Sequence, residues 1–184
     1  MDISEKKRAL RDEYIRKAAA LPESYTGPTD KQICGAVIAT GEYQRAETVF
    51  CFVGRSGEIN TRPIIEDALR LGKRLCVPKC VANGVMEARR IKSLDELVPA
   101  KFGLLEPADF SETVLPFEID FAVIPCVTCN FLGHRLGFGG GYYDRYLPEG
   151  GFFSCMICRR QLICEEIPMD DHDIIPTLLI TEGA

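Results

Sequence analysis

The sequence predicts an α/β protein with three layers (αβα), in which helices cover both faces of a mostly parallel central sheet. Three stretches support this prediction: a strand–loop–helix–strand unit over residues 48–79, and two near-continuous apolar runs, Phe121–Val127 and Phe152–Cys158. Apolar runs of this kind are typical of strands buried on both faces, and strands that alternate with helices form parallel sheets. A chain of 184 residues fits one domain with a sizeable core, so we expect a single domain over residues 1–184.

The composition is ordinary for a globular protein and argues against several functional classes. Apolar residues make up 46% of the chain and charged residues 27%. The net charge of −5 argues against a general nucleic-acid binder. No apolar run reaches the length of a membrane span, and the charged first residues lack the apolar core of a secretory signal. We therefore expect a cytoplasmic protein with neither nucleic acid nor membrane as a partner.

The first forty residues are predicted to form two helices. Residues 2–20 place four apolar side chains at helical spacing on one stripe, namely Leu10, Tyr14, Ala18 and Leu21. We predict a turn-rich linker over Pro22–Pro28, followed by a second helix that Thr29 or Asp30 caps and that runs to about Thr40. The opposite face of the first helix is basic. From the pattern alone, a basic helix face of this kind is typical of a face that is simply exposed to water.

Residues 48–79 are predicted to form a βαβ unit. Its elements are the strand Thr48–Gly54, the helix Pro63–Leu71 and the strand Arg74–Lys79. Glu58 lies in the loop after the first strand, and parallel sheets bind ligands at the carboxyl ends of their strands. Taken alone, Glu58 also fits a residue that only compensates the dipole of the following helix.

The remaining elements are shorter. We predict an edge strand at Val85–Ile91, a short helix opened by the capping box Ser93–Glu96, and loop over residues 102–118. After the second of the two apolar runs, Leu178–Glu182 is predicted to be the last strand.

The glycine-rich loop Gly133–Leu147 is the most informative stretch. Five of the sixteen glycines fall within nine residues, directly after a buried run, and Tyr142–Leu147 predicts the first turns of a helix. Glycines allow positive φ angles and a close approach of anions to backbone N–H groups, to which a helix start adds donors. Arg135 and Arg145 can pair with phosphate oxygens, and Asp144 can hold a magnesium ion. Because the loop matches neither a Walker A sequence nor a dinucleotide fingerprint, its composition indicates an anion-binding loop of unspecified type or a plain glycine turn.

Nine cysteines are an odd and high number, and we expect them to be free thiols. Cys126-x-x-Cys129 and Cys155-x-x-Cys158 have the spacing of zinc ligands, so a structural zinc site is an alternative. Residues three apart on a strand point to opposite faces, however. This argues against one site that contains both Cys155 and Cys158.

The residues of the glycine-rich loop resemble a family signature. The stretch Arg135-Leu-Gly-Phe-Gly-Gly-Gly-Tyr-Tyr-Asp-Arg145 closely resembles that of the 5-formyltetrahydrofolate cyclo-ligases, also called 5,10-methenyltetrahydrofolate synthetases. Three other elements resemble the same family in order and spacing: Lys7-Arg8-Ala-Leu-Arg11, the Gly-Glu-x-x-Thr element at Gly57–Thr61, and the His172-Asp173 pair. The resemblance therefore spans nearly the whole chain.

This resemblance implies a ligase that cyclises 5-formyltetrahydrofolate to 5,10-methenyltetrahydrofolate with ATP and Mg²⁺, releasing ADP and phosphate. In that reaction the formyl oxygen is phosphorylated and N10 then attacks the formyl carbon. The family also implies a Rossmann-like fold related to the sugar-phosphate isomerase and CoA-transferase group. We expect only small-molecule partners and a monomer or weak homodimer.

The resemblance assigns residues to four roles. The catalytic residues are Glu58, Arg135 and Arg145. The ATP-binding residues are Lys7, Arg8, Arg11, Arg135, Gly137, Gly139, Gly140, Gly141, Tyr142 and Tyr143. The folate-binding residues are Val53, Glu58, Phe138 and Tyr143. The magnesium ligands are Asp144 and Asp173.

Four positions depart from the family pattern. Asn130 and Thr177 stand where aspartate is common, and Cys126 and Cys129 replace residues that are more often small or aromatic. These departures put secondary hydrogen bonds and turnover in doubt. Two alternatives stay open, the first allowed by the two aspartate departures and the second supported by the cysteine pairs alone. One is a nucleotide- or folate-binding protein without turnover, and the other is a zinc-structured interaction domain.

Overall fold

The computed structural model describes residues 2–183. Its α-helices are α1 (Ile3–Ala19), α2 (Glu23–Ala39), α3 (Gly41–Arg45), α4 (Arg62–Arg70) and α5 (Tyr142–Tyr146). Its strands are β1 (Thr48–Cys51), β2 (Arg74–Ala82), β3 (Val85–Arg90), β4 (Leu97–Pro99), β5 (Leu105–Pro107), β6 (Thr113–Val114), β7 (Phe121–Ile124), β8 (Thr128–Cys129), β9 (Arg135–Leu136), β10 (Phe153–Ile157) and β11 (Leu178–Ile180). None of these helices combines the length and apolarity that crossing a lipid bilayer requires.

A seven-stranded sheet forms the middle of the molecule, in the order β11–β10–β7–β1–β2–β3–β6. The five strands from β11 to β2 run parallel to one another, whereas β3 and β6 are antiparallel to their neighbours. Two small separate sheets pair β4 with β5 and β8 with β9. The predicted α/β class with a mostly parallel sheet is confirmed.

Two apolar cores lie on the two faces of the sheet. Side chains of α2, α3 and α4 pack against one face, and side chains of α1 and α5 pack against the other. The central strand β1 contributes to both cores, because successive side chains of a strand point to opposite faces. Val49 and Cys51 belong to the first core and Phe50 to the second. The molecule therefore has the predicted three layers.

The first helix agrees with the prediction, whereas the start of the second does not. A capping box begins α1, in which Asp2 Oδ1 accepts from the Glu5 N–H at 2.8 Å and Glu5 Oε2 accepts from the Asp2 N–H at 3.0 Å. The linker predicted over residues 22–28 is wrong, since α2 begins at Glu23 and contains Pro28. Asp30 is buried inside this helix and does not cap it. Its carboxylate has a tertiary partner, described below.

Two predictions about the antiparallel side of the sheet are also wrong. The strand predicted as an edge is β3, which lies between β2 and β6. Residues 102–118, predicted as loop, contain β5 and β6. These strands have three and two residues, which is too short for a recognisable alternation of apolar and polar side chains. In addition, β2 continues past its predicted end to Ala82.

Candidate active site

A cavity of about 1200 Å³ lies at the carboxyl ends of the central parallel strands, next to Phe52 and Val53 after β1 and Pro125 after β7. The location is the one that open parallel sheets use for ligands. Every residue to which the sequence assigned a role lines this cavity: Lys7, Arg8, Arg11, Val53, Glu58, Arg135, Gly137, Phe138, Gly139, Gly140, Gly141, Tyr142, Tyr143, Asp144, Arg145 and Asp173. Four separate stretches of the chain thus meet in one place.

The glycine-rich loop forms one wall of the cavity. Gly139 and Gly141 have φ angles of 93° and 65°, which side-chain-bearing residues rarely adopt. The helix that follows, α5, is shorter than expected: it ends at Tyr146 after five residues. Few peptide dipoles are aligned in so short a helix, so the positive end expected at its start is weak. Most of the positive charge at this wall therefore comes from the basic side chains that line it, such as Arg11, Arg135 and Arg145.

Two arginines bind the backbone of this loop. Arg11 Nε donates to the carbonyl oxygen of Gly137 at 2.8 Å, which ties α1 to the loop. Arg145 Nε donates to the carbonyl oxygen of Gly84 at 2.8 Å, and another N–H of the same guanidinium donates to that of Gly140. Arg145 therefore joins the loop to the turn between β2 and β3. In this structure the two donors bind backbone carbonyl oxygens, one in that turn and one in the loop, and the pairing of Arg145 with phosphate stays a prediction.

Arg135 differs from these two, because one of its donors has no partner. Its side chain is 3% exposed, and one terminal nitrogen lies 2.5 Å from Asp144 Oδ1. The Nε atom is buried and has no hydrogen-bond acceptor among residues 2–183. Leaving a buried N–H unpaired costs about 1–3 kcal/mol. The arrangement therefore fits an anionic ligand that the chain itself does not supply.

Asp144 and Asp173, the predicted magnesium ligands, lie near each other at this end of the cavity. The N–H of Ile174 donates to Asp144 Oδ1 at 3.4 Å, and Asp173 Oδ2 accepts from Lys7 and from the Asp170 N–H. Within the described chain, the second carboxylate oxygen of each aspartate has no partner. Hard oxygen ligands of this kind, together with phosphate and water, are what Mg²⁺ binds. The two side chains therefore fit a phosphate-bound magnesium ion.

Glu58 lies on the opposite wall, in the loop after β1. Its Oε2 accepts from the Arg55 N–H at 3.0 Å and lies 3.7 Å from Arg55 Nε. Burial raises the pKa of Glu58 above its ordinary value, although the hydrogen bond and the charge of Arg55 oppose this shift. The Arg55 guanidinium lies 4.4 Å from the ring centroid of Phe138 in the glycine-rich loop. The two walls therefore touch.

A buried ion pair fixes the Glu58 loop, and the sequence analysis missed it. Arg159 binds Asp30 in a bidentate pair at 2.8 and 2.9 Å. The same guanidinium donates to the carbonyl oxygens of Gly57 and Glu58 at 3.0 and 2.8 Å. Asp30 Oδ2 also accepts from the Asn60 N–H at 2.9 Å. One charged pair therefore holds the backbone on both sides of Glu58.

Thr61 and Gly54 close this loop onto strand β1. The Thr61 hydroxyl donates to the carbonyl oxygen of Phe52 at 2.7 Å and accepts from the Gly54 N–H at 3.1 Å. A Cβ atom on Gly54 would lie 1.9 Å from the carbonyl oxygen of Ile59. The loop is therefore packed so closely that only glycine fits at position 54.

The positions at which the family often has aspartate support the scaffold. Asn130 Oδ1 accepts from the N–H groups of Leu132 and His134 at 3.0 and 3.1 Å, which shapes the turn before the glycine-rich loop. The hydroxyls of Thr177 and Ser154 lie 3.2 Å apart and join the starts of β11 and β10. Neither Asn130 nor Thr177 is among the cavity-lining residues of the described chain.

A smaller cavity of about 350 Å³ adjoins the large one and is lined by Glu58, Cys126 and Cys158. The sulfur atoms of Cys126, Cys129 and Cys158 lie within 4.8 Å of one another. Cys155 lies in the other core, on the opposite face of the sheet, as predicted. Sequence analysis nevertheless missed the group of three thiols, because it forms only when β7 and β10 are aligned side by side.

Comparisons with known proteins agree with this geometry. Residues 3–182 match the sequence model of the 5-formyltetrahydrofolate cyclo-ligase family. The chain is 32% identical to the 5-formyltetrahydrofolate cyclo-ligase of Escherichia coli K12, over 74% of this chain and 78% of that protein. It is 27% identical to the enzyme of the same name from Mus musculus, over 94% of this chain and 91% of that protein. The solved 5,10-methenyltetrahydrofolate synthetase of Aquifex aeolicus is similar in structure, with a TM-score of 0.85, 29% identity and coverage of 97% and 90%.

Proposed function

The chain belongs to the 5-formyltetrahydrofolate cyclo-ligase family, and we propose that it converts 5-formyltetrahydrofolate to 5,10-methenyltetrahydrofolate with the conversion of ATP to ADP and phosphate. One observation carries this proposal: the four stretches that resemble the family, far apart in sequence, line a single cavity. Its volume of about 1200 Å³ exceeds the usual 300–1000 Å³ of a pocket for one small molecule. Two substrates therefore have room to meet there.

The glycine-rich loop with its basic neighbours is the proposed nucleotide end. Gly137, Gly139, Gly140 and Gly141 would admit the phosphates, and Lys7, Arg8 and Arg11 would supply positive charge. The buried Nε of Arg135 would donate to a phosphate oxygen. A polyanion at this end would also compete for the donors that Arg145 now directs at backbone oxygens. The cations are thus already in place for the charge of ATP.

The wall that contains Glu58 is the proposed folate end. Val53, Phe138 and Tyr143 would contact the pterin ring, and the Glu58 carboxylate would orient the end that bears the formyl group. The Arg159–Asp30 pair holds the backbone of this loop and so keeps the carboxylate in position. Arg159 is a positioning residue in this account, because it acts through Glu58.

The reaction needs activation, because a formamide carbonyl is a poor electrophile and its oxygen is a poor leaving group. Transfer of the γ-phosphoryl group breaks its bond to ADP and forms a bond to the formyl oxygen. N10 then attacks the formyl carbon and loses its proton, the carbon–oxygen bond breaks, and phosphate departs. The protein aligns the formyl oxygen with the γ-phosphorus and stabilises the charge on the transferring group. Arg135 and Arg145 are the proposed residues for that charge.

Magnesium, when bound, would neutralise phosphate charge at the nucleotide end. Asp144 and Asp173 would hold it through the carboxylate oxygens that the described chain leaves without partners. We extend the proposal to one domain over residues 1–184 that acts on small molecules alone.

The test is absorbance of the methenyl product after purified protein is mixed with magnesium-ATP and 5-formyltetrahydrofolate. We expect an ATP-dependent rise, with one phosphate released per product, and no rise with Asp144→Asn. Binding of ATP or folate without product would overturn the proposal in favour of a binding protein. Full turnover by Asp144→Asn would remove Asp144 from the metal site and leave the proposed reaction standing.

A further inference from the structure

Three cysteine thiols meet beside the cavity. Cys126 follows β7, Cys129 lies in β8 and Cys158 follows β10. In the parallel pair of β7 and β10, Ile124 aligns with Met156, so two residues further on Cys126 aligns with Cys158. All three sulfur atoms lie within 4.8 Å of one another. We propose that these cysteines form a binding site for a thiophilic metal ion, and that Zn²⁺ is the ion that fits it.

The spacing and the backbone both suit a metal ion. Zinc–sulfur bonds measure about 2.3 Å, which sets two sulfurs of a tetrahedral site about 3.8 Å apart. The observed upper limit of 4.8 Å leaves only a small closing movement of the side chains. The N–H of Cys158 donates to the carbonyl oxygen of Ile180 at 3.1 Å, and the carbonyl oxygen of Cys129 accepts from the Cys164 N–H at 2.8 Å. Two of the three ligands are thus held by backbone hydrogen bonds.

The fourth coordination position would face the smaller cavity. Cys126 and Cys158 line that cavity together with Glu58 and Arg55, whereas Cys129 is fully buried. Three protein ligands with an open position are typical of zinc sites that exchange a water or small ligand. Cys164 lies outside the group of three sulfur atoms and is not a fourth ligand.

Charge around the thiols favours a bound cation with sulfur ligands. In this structure the Cys126 thiol donates to the carbonyl oxygen of Ile157 and the Cys158 thiol donates to that of Arg159, each at 3.5 Å. Metals bind the thiolate form of cysteine, so Zn²⁺ would displace the thiol protons as it binds. Three thiolates and Zn²⁺ would leave one net negative charge, which the nearby Arg135 guanidinium would offset.

This site does not depend on the proposed reaction, because none of its ligands is assigned to ATP, magnesium or folate. The test uses the full chain, reduced and freed of metal, to which Co²⁺ or Zn²⁺ is added. Co²⁺ reports thiolate ligands by a charge-transfer band and tetrahedral geometry by intense visible bands. Bound Zn²⁺ is counted by elemental analysis after gel filtration, and its affinity is measured by competition with a chromophoric chelator.

We expect one equivalent of zinc and a tetrahedral thiolate spectrum for the unmodified protein. Cys126→Ser, at a half-buried position, should weaken zinc binding on the order of a hundredfold or more, at least as much as the loss of an outer-shell partner does. Cys158→Ser should do the same. The matched controls are Cys155→Ser, in the opposite core, and Cys80→Ser, at an exposed thiol; both should keep full affinity.

Three results would overturn the proposal that these cysteines bind a metal ion. The first is the absence of a thiolate–cobalt band in the unmodified protein. The second is loss of metal in Cys80→Ser but not in Cys126→Ser, which would indicate surface binding. The third is formation of a disulfide within the group, seen as a mass two hydrogens lower, in protein that takes up no metal. Circular dichroism of each serine variant separates loss of the site from loss of the fold.

Discussion

The two walls of the cavity are held in opposite ways. The Glu58 loop is fixed by contacts inside the protein: the Arg159–Asp30 pair, the Thr61 hydroxyl and the close approach of Gly54 to Ile59. The glycine-rich loop is held by cations that line the cavity, Arg11, Arg135 and Arg145, whose partners are backbone oxygens and a carboxylate. In the proposed reaction a polyanionic ligand would replace some of those partners, whereas the contacts that fix the Glu58 loop lie within the protein.

This difference suits the two proposed substrates. Orienting a formyl group requires a wall whose position is set before binding, because misplacement of a reacting group by about 1 Å can cost a hundredfold in rate. Binding ATP requires positive charge that is available on arrival of the ligand. Substitutions of the contacts that fix the first wall should therefore lower stability as well as turnover, whereas substitutions in the second wall should act mainly on turnover.

The largest effect is expected from Arg159→Met, because it leaves the buried Asp30 carboxylate without its partner. Breaking a buried ion pair in this way costs about 3–5 kcal/mol, and we expect the free energy of unfolding in urea to fall by that amount. The matched control is Arg62→Met, which removes an exposed pair with Glu66 and should cost about 1 kcal/mol or less. Equal losses in both variants would show that the Glu58 loop is not held by the buried pair.

Arg135→Met should do the reverse, reducing turnover with little change in stability. Loss of one charge-stabilising donor typically lowers the rate on the order of a hundredfold. The partner Asp144 is 26% exposed, so water can solvate the carboxylate that is left. The rate of product formation and the urea midpoint, measured on one preparation, check both expectations. Unchanged turnover in Arg135→Met would contradict the proposal that Arg135 binds the phosphates of ATP.

Gly54→Ala should destabilise the protein by about 1–3 kcal/mol, the usual cost of overpacking. The added methyl group would lie 1.9 Å from the Ile59 carbonyl oxygen, so the loop must move. Gly35→Ala is the control, because nothing lies within 4 Å of its Cβ position in α2. There alanine should stabilise by about 0.5–1 kcal/mol, since glycine is unfavourable within a helix. Thermal unfolding of the two variants should therefore shift in opposite directions.

The smallest effect concerns the protonation of Glu58. Because burial raises its pKa in the folded protein above the ordinary 4.5, the folded state holds this proton more tightly than the unfolded state. This contribution favours folding below pH 4.5 and is lost as pH rises towards the folded pKa. Above pH 4.5, the unmodified protein should therefore lose stability relative to Glu58→Gln as pH rises. If the difference in unfolding free energy between the two proteins did not change with pH, the raised pKa of Glu58 would be contradicted.

Sequence analysis found the parts of the site whose residues lie close together along the chain. The glycine-rich loop and the Gly57–Thr61 element are local patterns, so residue types and spacing were sufficient. The Arg159–Asp30 pair joins residues 129 positions apart, and Asp30 alone matches a helix cap equally well. The thiol group depends on how Cys126 and Cys158 align across neighbouring strands. The first contact follows from how α2 packs against the segment after β10, the second from the register of β7 against β10, and no local pattern predicts either.

The central claim is that the formyl oxygen of the substrate leaves as phosphate. It can be tested with 5-formyltetrahydrofolate that carries an isotopically heavy oxygen in its formyl group. After reaction with unlabelled ATP in unlabelled water, mass spectrometry of the released phosphate should find one heavy oxygen atom per methenyl product. Methenyl product accompanied by unlabelled phosphate would contradict phosphorylation of the formyl oxygen in this cavity.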